Sequence, residues 1–400
     1  MESVVIVDAL RTPIGRYNGA LKHFRPDDLA SYTIKELIER QPSLPTDEID
    51  DVIFGNANGA GEENRNVARM GALLAGLPTN VSGTTINRLC GSSLDAVSMG
   101  ARSILSGEAE VIIAGGVESM SRAPFVMAKP EKEFPRGDMT LQDTTIGWRF
   151  VNPKMQEMYG TDSMPGTAEN VAQQYKITRE EQDAFAFRSQ TKAKQAMDEN
   201  KFNQEIMSLI QQQKRGDDLI IDTDEHPRPN TTMEKLAKLP AIFTDGTVTA
   251  GNASGVNDGA AALLMMTASK AKEWGLTPLV RFRASTTAGV EPSVMGLGPI
   301  SSTKKLMHKH QFDVSDFGLV ELNEAFASQS LECIRQLQLD PELVNVNGGA
   351  IAFGHPLGAS GAKILTSLIY EMKRRDTELG LATMCIGVGQ GISLVIENVH

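Results

Sequence analysis

The feature that most constrains this 400-residue chain is one pattern that occurs twice. A reactive side chain sits in a glycine-rich turn, an amphipathic helix follows, and an apolar strand then ends in glycines. In the first copy, Cys90-Gly91-Ser92-Ser93 opens a helix-like run to residue 107, with Leu94, Val97, Ala101, Ile104 and Leu105 at helical spacing. Residues 110–116 follow as a short buried strand. In the second copy, Gly354-His355-Pro356 leads into a helix over 359–373, and a strand over 380–385 closes on Gly387-Val388-Gly389-Gln390-Gly391. One grammar used twice predicts two similar halves facing each other. Around them, strand-like runs at 4–8, 52–55, 83–89, 317–322 and 392–397 alternate with helix-like runs at 28–41 and 324–337. That alternation predicts an α/β protein with mostly parallel sheets.

Residues 122–244 have a different texture, richer in charge, Gln and Met, with an amphipathic helix over 179–200 and the turn-rich His226-Pro227-Arg228-Pro229-Asn230. They read as an inserted lobe covering the site. The expected organisation is therefore a first half of residues 1–121 plus 245–272, the lobe at 122–244, and a second half at 273–400.

A formal net charge of −11 and only 5% aromatic residues argue against nucleic acid as a partner. An anionic small molecule stays possible, because a local basic cluster suffices to hold one. Three cysteines cannot build a disulfide framework and lack metal-ligand spacing, so free thiols, a reducing compartment and no metal are expected. Met1-Glu2-Ser3-Val4-Val5-Ile6-Val7-Asp8 reads as a strand rather than a signal peptide, and no run approaches the ~20 apolar residues of a membrane span. Glu397-Asn398-Val399-His400 matches no targeting tag, so the cytoplasm is the default expectation.

Cys90 stands where a strand-like segment turns into a helix. A thiol there feels the positive helix end and unpaired N–H groups, both of which favour thiolate. The same arrangement equally suits a cysteine that merely packs. His355 is ringed by Gly348, Gly349, Gly354, Gly358 and Gly361, which packing alone does not explain. An imidazole is the usual group to activate a thiol. The other histidines (His23, His226, His308, His310 and His400) are expected in polar, exposed settings. Cys385 precedes three alternating glycines whose N–H groups suit an oxyanion, or else it is a core cysteine. Cys333 reads as structural. Asn323 and Glu324 mark a strand-to-helix junction, where the amide is either an N-cap or the holder of a water near the site.

Together these segments resemble the thiolase family from end to end. The matching elements are Asp8-Ala9-Leu10-Arg11-Thr12-Pro13-Ile14-Gly15, the Cys90 block, Ala114-Gly115-Gly116-Val117-Glu118-Ser119-Met120-Ser121 and Thr249-Ala250-Gly251-Asn252-Ala253-Ser254-Gly255. Asn323-Glu324-Ala325-Phe326, the Gly348-to-Pro356 glycine turn and Cys385-Ile386-Gly387 complete them. The resemblance implies a five-layer α/β/α/β/α core of two βαβαβαββ halves, an inserted coenzyme A-binding loop domain, and a homodimer or homotetramer. It implies that Cys90 becomes acylated and that His355 activates it. With a water held by Asn323, His355 would also stabilise a thioester enolate. Cys385 would exchange the α-proton, and the N–H groups of Cys90 and Gly387 would hold a second oxyanion. Coenzyme A would be a substrate, with no tightly bound cofactor. Arg228 would lie at its nucleotide end and Ala253 and Ser254 by the pantetheine, with Phe243, Met295 and Phe326 lining the tunnel.

One segment departs from the family pattern: Tyr159-Gly160-Thr161-Asp162-Ser163-Met164-Pro165-Gly166 stands where many members carry a histidine beside a Met-Gly pair. Two others, Gly61-Glu62-Glu63-Asn64-Arg65 and Asp143-Thr144-Thr145-Ile146-Gly147-Trp148-Arg149, are most similar to thiolases acting on 3-oxoadipyl-CoA. That substrate ends in a carboxylate, so Arg65 and Arg149 are candidates to meet it, or else are exposed salt-bridging residues. The alternative substrates are acetoacetyl-CoA or general 3-oxoacyl-CoA. From other classes, a Cys–His acyl-CoA hydrolase and a non-catalytic CoA or lipid carrier stay open.

Overall fold

The computed structural model describes residues 2–399, so His400 lies outside the described residues. In the first half, strands β1 (Val4–Arg11), β2 (Asp51–Gly55), β3 (Ser82–Ile86), β4 (Val111–Ser119) and β5 (Asn257–Thr267) occur with helices α1 (Pro26–Arg40), α2 (Val67–Leu74) and α3 (Ser92–Ser106) between successive strands. Helices α4 (Met164–Tyr175) and α5 (Arg179–Asp198) belong to the intervening lobe. The second half runs β6 (Val280–Gly289), α6 (Gly298–His310), β7 (Leu319–Leu322), α7 (Ala327–Leu337), α8 (Ser360–Arg375), β8 (Leu379–Ile386) and β9 (Gln390–Asn398).

The two halves share one sheet order. The first is β3-β2-β4-β5-β1 and the second is β7-β8-β9-β6, with Val344 bridging Val320 in parallel where the counterpart of β3 belongs. β1 and β6 then join the two sheets edge to edge through Val5–Arg281 and Ile6–Val280. The expected mostly parallel sheet is not what forms. β2–β3, β2–β4 and β7–β8 are parallel, whereas β4–β5, β5–β1, β8–β9 and β9–β6 are antiparallel. The reason is a single returning strand in each half, β5 or β9, which lies between two strands of the opposite direction.

Alternate residues of these strands feed different apolar clusters, and so define layers. Val111 and Ile113 of β4 pack with Leu29, Ile34 and Leu37 of α1 and Val67 of α2 on the outside of the first sheet. Ile112 and Ala114 face the other way, into a central cluster with Leu94, Val97 and Ile104 of α3 and Ile364, Leu365 and Leu368 of α8. That cluster continues into Met384, Ile386 and Leu394 of the second sheet. Leu381 and Val395 close the stack against Ile300 and Leu306 of α6 and Ile334 and Leu337 of α7. Five layers result, α/β/α/β/α, with α3 and α8 in the middle.

Arg11, in the segment Asp8 to Gly15, is a tie between distant parts of the chain. Its guanidinium is fully buried, 2.7 Å from Glu205 Oε1, and grips Asp224 through both nitrogens at 2.7 and 2.9 Å. Both carboxylates lie in the stretch between β4 and β5, so one buried ion triad clamps that stretch to β1.

Candidate active site

The Cys90 turn is built by its own backbone. Leu89 adopts φ 46°, and the Ser92 hydroxyl donates to Leu89 C=O (2.6 Å) while accepting from Arg88 N–H (2.9 Å). Cys90 thus projects from a sharp bend two residues before α3, partly exposed at the end of a cavity. His355 stands in the equivalent loop of the other half, ahead of α8. The two helices meet at their N-terminal ends: a Cβ on Gly361 would collide with Leu94, and Ala362 N–H donates to Ser93 Oγ at 2.9 Å. The internal symmetry of the fold thus brings the loops that carry Cys90 and His355, 265 positions apart in sequence, to the meeting ends of these two helices.

The third component comes from the β8–β9 turn. Cys385 closes β8, and Val388 in the turn adopts φ 62°, a strained value for a β-branched residue. The turn presses against the Cys90 loop, where a Cβ on Gly91 would strike Ile386. The Gly387 N–H and the N–H of Cys90 itself lie close enough to the Cys90 sulfur to favour its thiolate. Cys90 lies near enough to Cys385 that its charge raises the cost of ionising Cys385.

Electrostatics in this unliganded site differ from the thiolate expected at a helix end. Burial pushes the Cys90 thiol up to about 11, against the lowering by the two amides, and burial also holds Cys385 well above the usual thiol range. Burial, helped by the Lys363 charge, brings His355 down to about 4. The resting pair at pH 7 is a neutral thiol and a neutral imidazole.

The tautomer of that imidazole follows from hydrogen-bond counting. The Ser360 hydroxyl lies 2.6 Å from His355 Nδ1 and donates its one proton to Pro356 C=O at 2.9 Å. Nδ1 must then carry the hydrogen and donate to Ser360 Oγ. Nε2 is left with the lone pair, buried and without a protein partner. Asn323 Nδ2 is likewise buried and without a protein partner. Asn323 is not the N-cap of α7, a position held by Phe326. Two polar atoms so placed mark a site built to meet something polar.

Cys385 packs with Met295, Phe326, Ala253, Met164 and Val248 in one apolar cluster. Ala253 is zipped to Phe326 by a β-bridge, and Ser254 N–H donates to Ala325 C=O at 3.0 Å. Three cavities that share wall residues run toward it. The outermost, about 350 Å3, is bordered by Arg16, His226, Arg228 and Lys235. The next, about 530 Å3, shares the first three and adds Ser254, Thr145 and Ile146. The innermost, about 300 Å3, shares Thr145 and Ile146 and reaches Cys90 and Gly387. Shared walls thus link the cavity at Arg228, through that at Ser254, to the one at the thiol; the first has no acidic wall residue and the second has Asp143. The first holds the local basic cluster on an otherwise acidic protein. Among the described residues no cluster of three or more His, Cys, Asp or Glu is arranged to hold a metal ion.

Phe243, like Met295, Phe326 and Ala253, is not among the residues that border these three cavities; it stands beside Gly166, 41% exposed, on a surface turn closed by Gly246 N–H onto its own C=O. One expectation fails here. His226 is not exposed but buried, with Nδ1 3.1 Å from Asn257 Nδ2. Burial and the charges of Arg228 and Arg16 lower it to about 4. Asn257 also accepts the His355 N–H at 2.9 Å, so it joins the two histidine loops. Neither histidine's burial is written in its neighbours. Cys333, as expected of a structural thiol, is fully buried and donates to Gly296 C=O at 3.4 Å.

Sequence reasoning also passed over Glu118. Its carboxylate takes the N–H groups of Ala57 (2.8 Å), Asn58 (3.1 Å) and Gly358 (2.8 Å), tying the cavity wall to the His355 loop. The signal was a buried acid inside a glycine-rich strand. Met164 lies in the segment that departs from the family pattern, and it borders both the Cys90 cavity and the Cys385 cluster.

The family models for the thiolase N-terminal and C-terminal domains match residues 4–269 and 276–398. The chain is 54% identical to the beta-ketoadipyl-CoA thiolase of Acinetobacter baylyi over 402 aligned positions, covering all of both proteins. The 3-oxoadipyl-CoA/3-oxo-5,6-dehydrosuberyl-CoA thiolase of Escherichia coli is also 54% identical with complete coverage of both. The crystal structure of the Bacillus anthracis acetyl-CoA acetyltransferase superposes with a TM-score of 0.92 at 42% identity, over 100% of this chain and 99% of that one. With the five-layer core, the paired halves and full-length matches in agreement, the chain belongs to the thiolase family and is an acyltransferase.

Proposed function

We propose that this thiolase cleaves 3-oxoadipyl-CoA with coenzyme A, giving succinyl-CoA and acetyl-CoA through an acyl-Cys90 intermediate. The observation that carries the substrate is the 54% full-length identity to enzymes named for it, against 46% to the acetyl-CoA acetyltransferase of Thiocystis violacea. The assignment of residues rests on the convergence of two thiols and an unpartnered imidazole nitrogen.

Cys90 attacks the 3-oxo carbonyl, and its proton passes to His355 Nε2. The C2–C3 bond breaks, and its electron pair forms the acetyl-CoA enolate. Cys385 donates its proton to that carbon, leaving a succinyl thioester on Cys90. The protonated Nε2 and a water held by Asn323 meet the enolate oxygen, while the N–H groups of Cys90 and Gly387 meet the tetrahedral oxyanion. Losing one such donor costs about 10²–10³ in rate. The Cys385 thiolate then takes the proton of the incoming coenzyme A thiol, whose sulfur attacks the acyl group. Cys90 leaves and recovers its proton from His355, giving ping-pong kinetics.

Residues 122–244 act as the coenzyme A-binding lobe, with Arg228 at the nucleotide end and Ser254 by the pantetheine. Exposed Phe125, Met127, Phe134, Met139 and Leu141 on one surface segment support a homo-oligomer, because single chains seldom leave so much apolar surface bare. Free thiols at Cys90, Cys333 and Cys385 suit the cytoplasm. No helix among the described residues is long and apolar enough to cross a membrane.

An apolar part of the inner cavity wall, Leu89, Ile146, Trp148 and Val388, favours a second reading, a neutral 3-oxoacyl-CoA. Steady-state kinetics with 3-oxoadipyl-CoA, acetoacetyl-CoA and a longer 3-oxoacyl-CoA separate the two. A higher kcat/KM for either neutral substrate refutes the first reading. Mass spectrometry of a quenched reaction should find the succinyl adduct on Cys90 and none in Cys90→Ala.

A further inference from the structure

We infer that Arg149 forms a carboxylate subsite in the inner cavity, the feature that lets this thiolase take an acyl chain ending in an anion. The inference rests on the substrate reading above and names the group that executes it. Of the two arginines singled out in sequence, Arg65 is exposed, stands outside the cavity and occupies a left-handed turn at φ 67°. Its segment has another task, because Glu62 bridges Arg25 at 3.1 Å and Arg122 at 2.5 Å. Arg149 instead borders the same cavity as Cys90.

Three features of that cavity point to an anion. Arg149 is the one cationic side chain on its wall, and no Asp or Glu borders it. Among the described residues Arg149 forms no salt bridge; its recorded hydrogen bond runs from Nη2 to Asn58 Oδ1 at 3.3 Å. A guanidinium has five N–H donors, so a planar pair stays free for a carboxylate fork. The other polar walls are already committed. Asn58 Nδ2 donates to Thr144 at 3.0 Å, Thr144 Oγ1 to Pro124 C=O at 2.6 Å, and Trp148 Nε1 to Asp162 C=O at 3.2 Å. Glu118, which holds the Ala57–Asn58 backbone from behind, is occupied by amides. Asp143 is spent on the hydroxyl and N–H of Thr145. A half-buried, uncompensated cation beside the acylated thiol suits the far end of a succinyl group. The apolar wall meets its methylenes.

The test compares wild type, Arg149→Gln and Arg149→Lys on 3-oxoadipyl-CoA and on acetoacetyl-CoA. For Arg149→Gln the expected result is a fall in kcat/KM of about 10- to 100-fold on 3-oxoadipyl-CoA, the range for a lost charged hydrogen bond. Acetoacetyl-CoA should stay within about 2-fold, which also reports intact folding. Arg149→Lys should lie between, because it keeps the charge and loses the fork. Equal loss on both substrates, or an unaltered preference, overturns the subsite. A wild type that already prefers acetoacetyl-CoA overturns the substrate reading, and the subsite with it.

Discussion

Replacing Ser360 by alanine removes one oxygen and tests whether proton placement on His355 drives the reaction. In the wild type that oxygen accepts from Nδ1–H at 2.6 Å and is itself fixed by donating to Pro356 C=O at 2.9 Å. Ser360 is 1% exposed, so bulk water does not take over the role. The variant leaves Nδ1–H as a buried donor without an acceptor, at a cost of about 1–3 kcal/mol. Nε2, the nitrogen proposed to receive the Cys90 proton, has no protein partner either, so without Ser360 neither ring nitrogen is favoured and the tautomer preference of about 1–3 kcal/mol is lost. The hydrogen then spends about half of its time on Nε2, where it blocks that transfer. We therefore expect kcat for thiolysis to drop at least about 2-fold, while KM for the acyl-CoA changes little because the substrate passage does not include Ser360. Product formation followed by chromatography gives kcat and KM, and 15N NMR of the labelled imidazole gives the tautomer. A variant with normal kcat, or with low kcat but the wild-type tautomer, refutes the argument.

Three further outcomes follow from the same geometry. Cys385→Ala should lose thiolysis by at least about 10³-fold together with deuterium exchange into the methyl group of acetyl-CoA in D2O, since no nearby thiol replaces it; retained exchange would assign the α-proton to another group. Arg11→Leu strands Glu205 and Asp224 in the core and should destabilise the chain by about 3–5 kcal/mol in urea unfolding; a loss under about 1 kcal/mol would mean that the triad is not the clamp. His226 is held near 4 when folded against about 6.5 unfolded, so below pH 6.5 the unfolded chain binds a proton that the native state refuses. Its contribution is intact above that pH and is lost progressively as pH falls toward 4. Glu118, pushed up to about 7, and Asp258, up to about 6, have the opposite effect, so the readout is the difference between wild type and His226→Gln. That difference should shift against the wild type by up to about 3 kcal/mol between pH 6.5 and 4; a pH-independent difference would refute the buried neutral histidine.

Much of the architecture was legible in the chain because it is local. Helical spacing in the stretch after Cys90 produced α3 within two residues of the expected bounds, and the apolar run near Val111 became β4. Met295, Phe326 and Ala253 do gather around Cys385, yet that grouping came from family resemblance and not from periodicity. Strand direction was misjudged, because a strand that returns antiparallel carries the same two-residue pattern as one that continues in parallel. The burial of His226 was missed for a related reason: its polar, proline-rich neighbours resemble a surface turn, and only Asn257, brought over from β5, makes a pocket for it.

The amino-acid order by itself determined which segments become helix or strand, the repetition of one half in the other, and the reactive groups available at each turn. Tertiary structure decided which of those groups meet. The crossing of α3 over α8 at Gly361 sets the loop with the thiol of one half against the loop with the imidazole of the other. The Ser360–Pro356 contact chooses the imidazole nitrogen that faces the chemistry, and the absence of any acid from one cavity wall leaves Arg149 uncompensated. Spacing along a chain encodes periodicity and turn chemistry. Proton placement, desolvation and charge balance depend on neighbours hundreds of positions away, and packing alone brings those together.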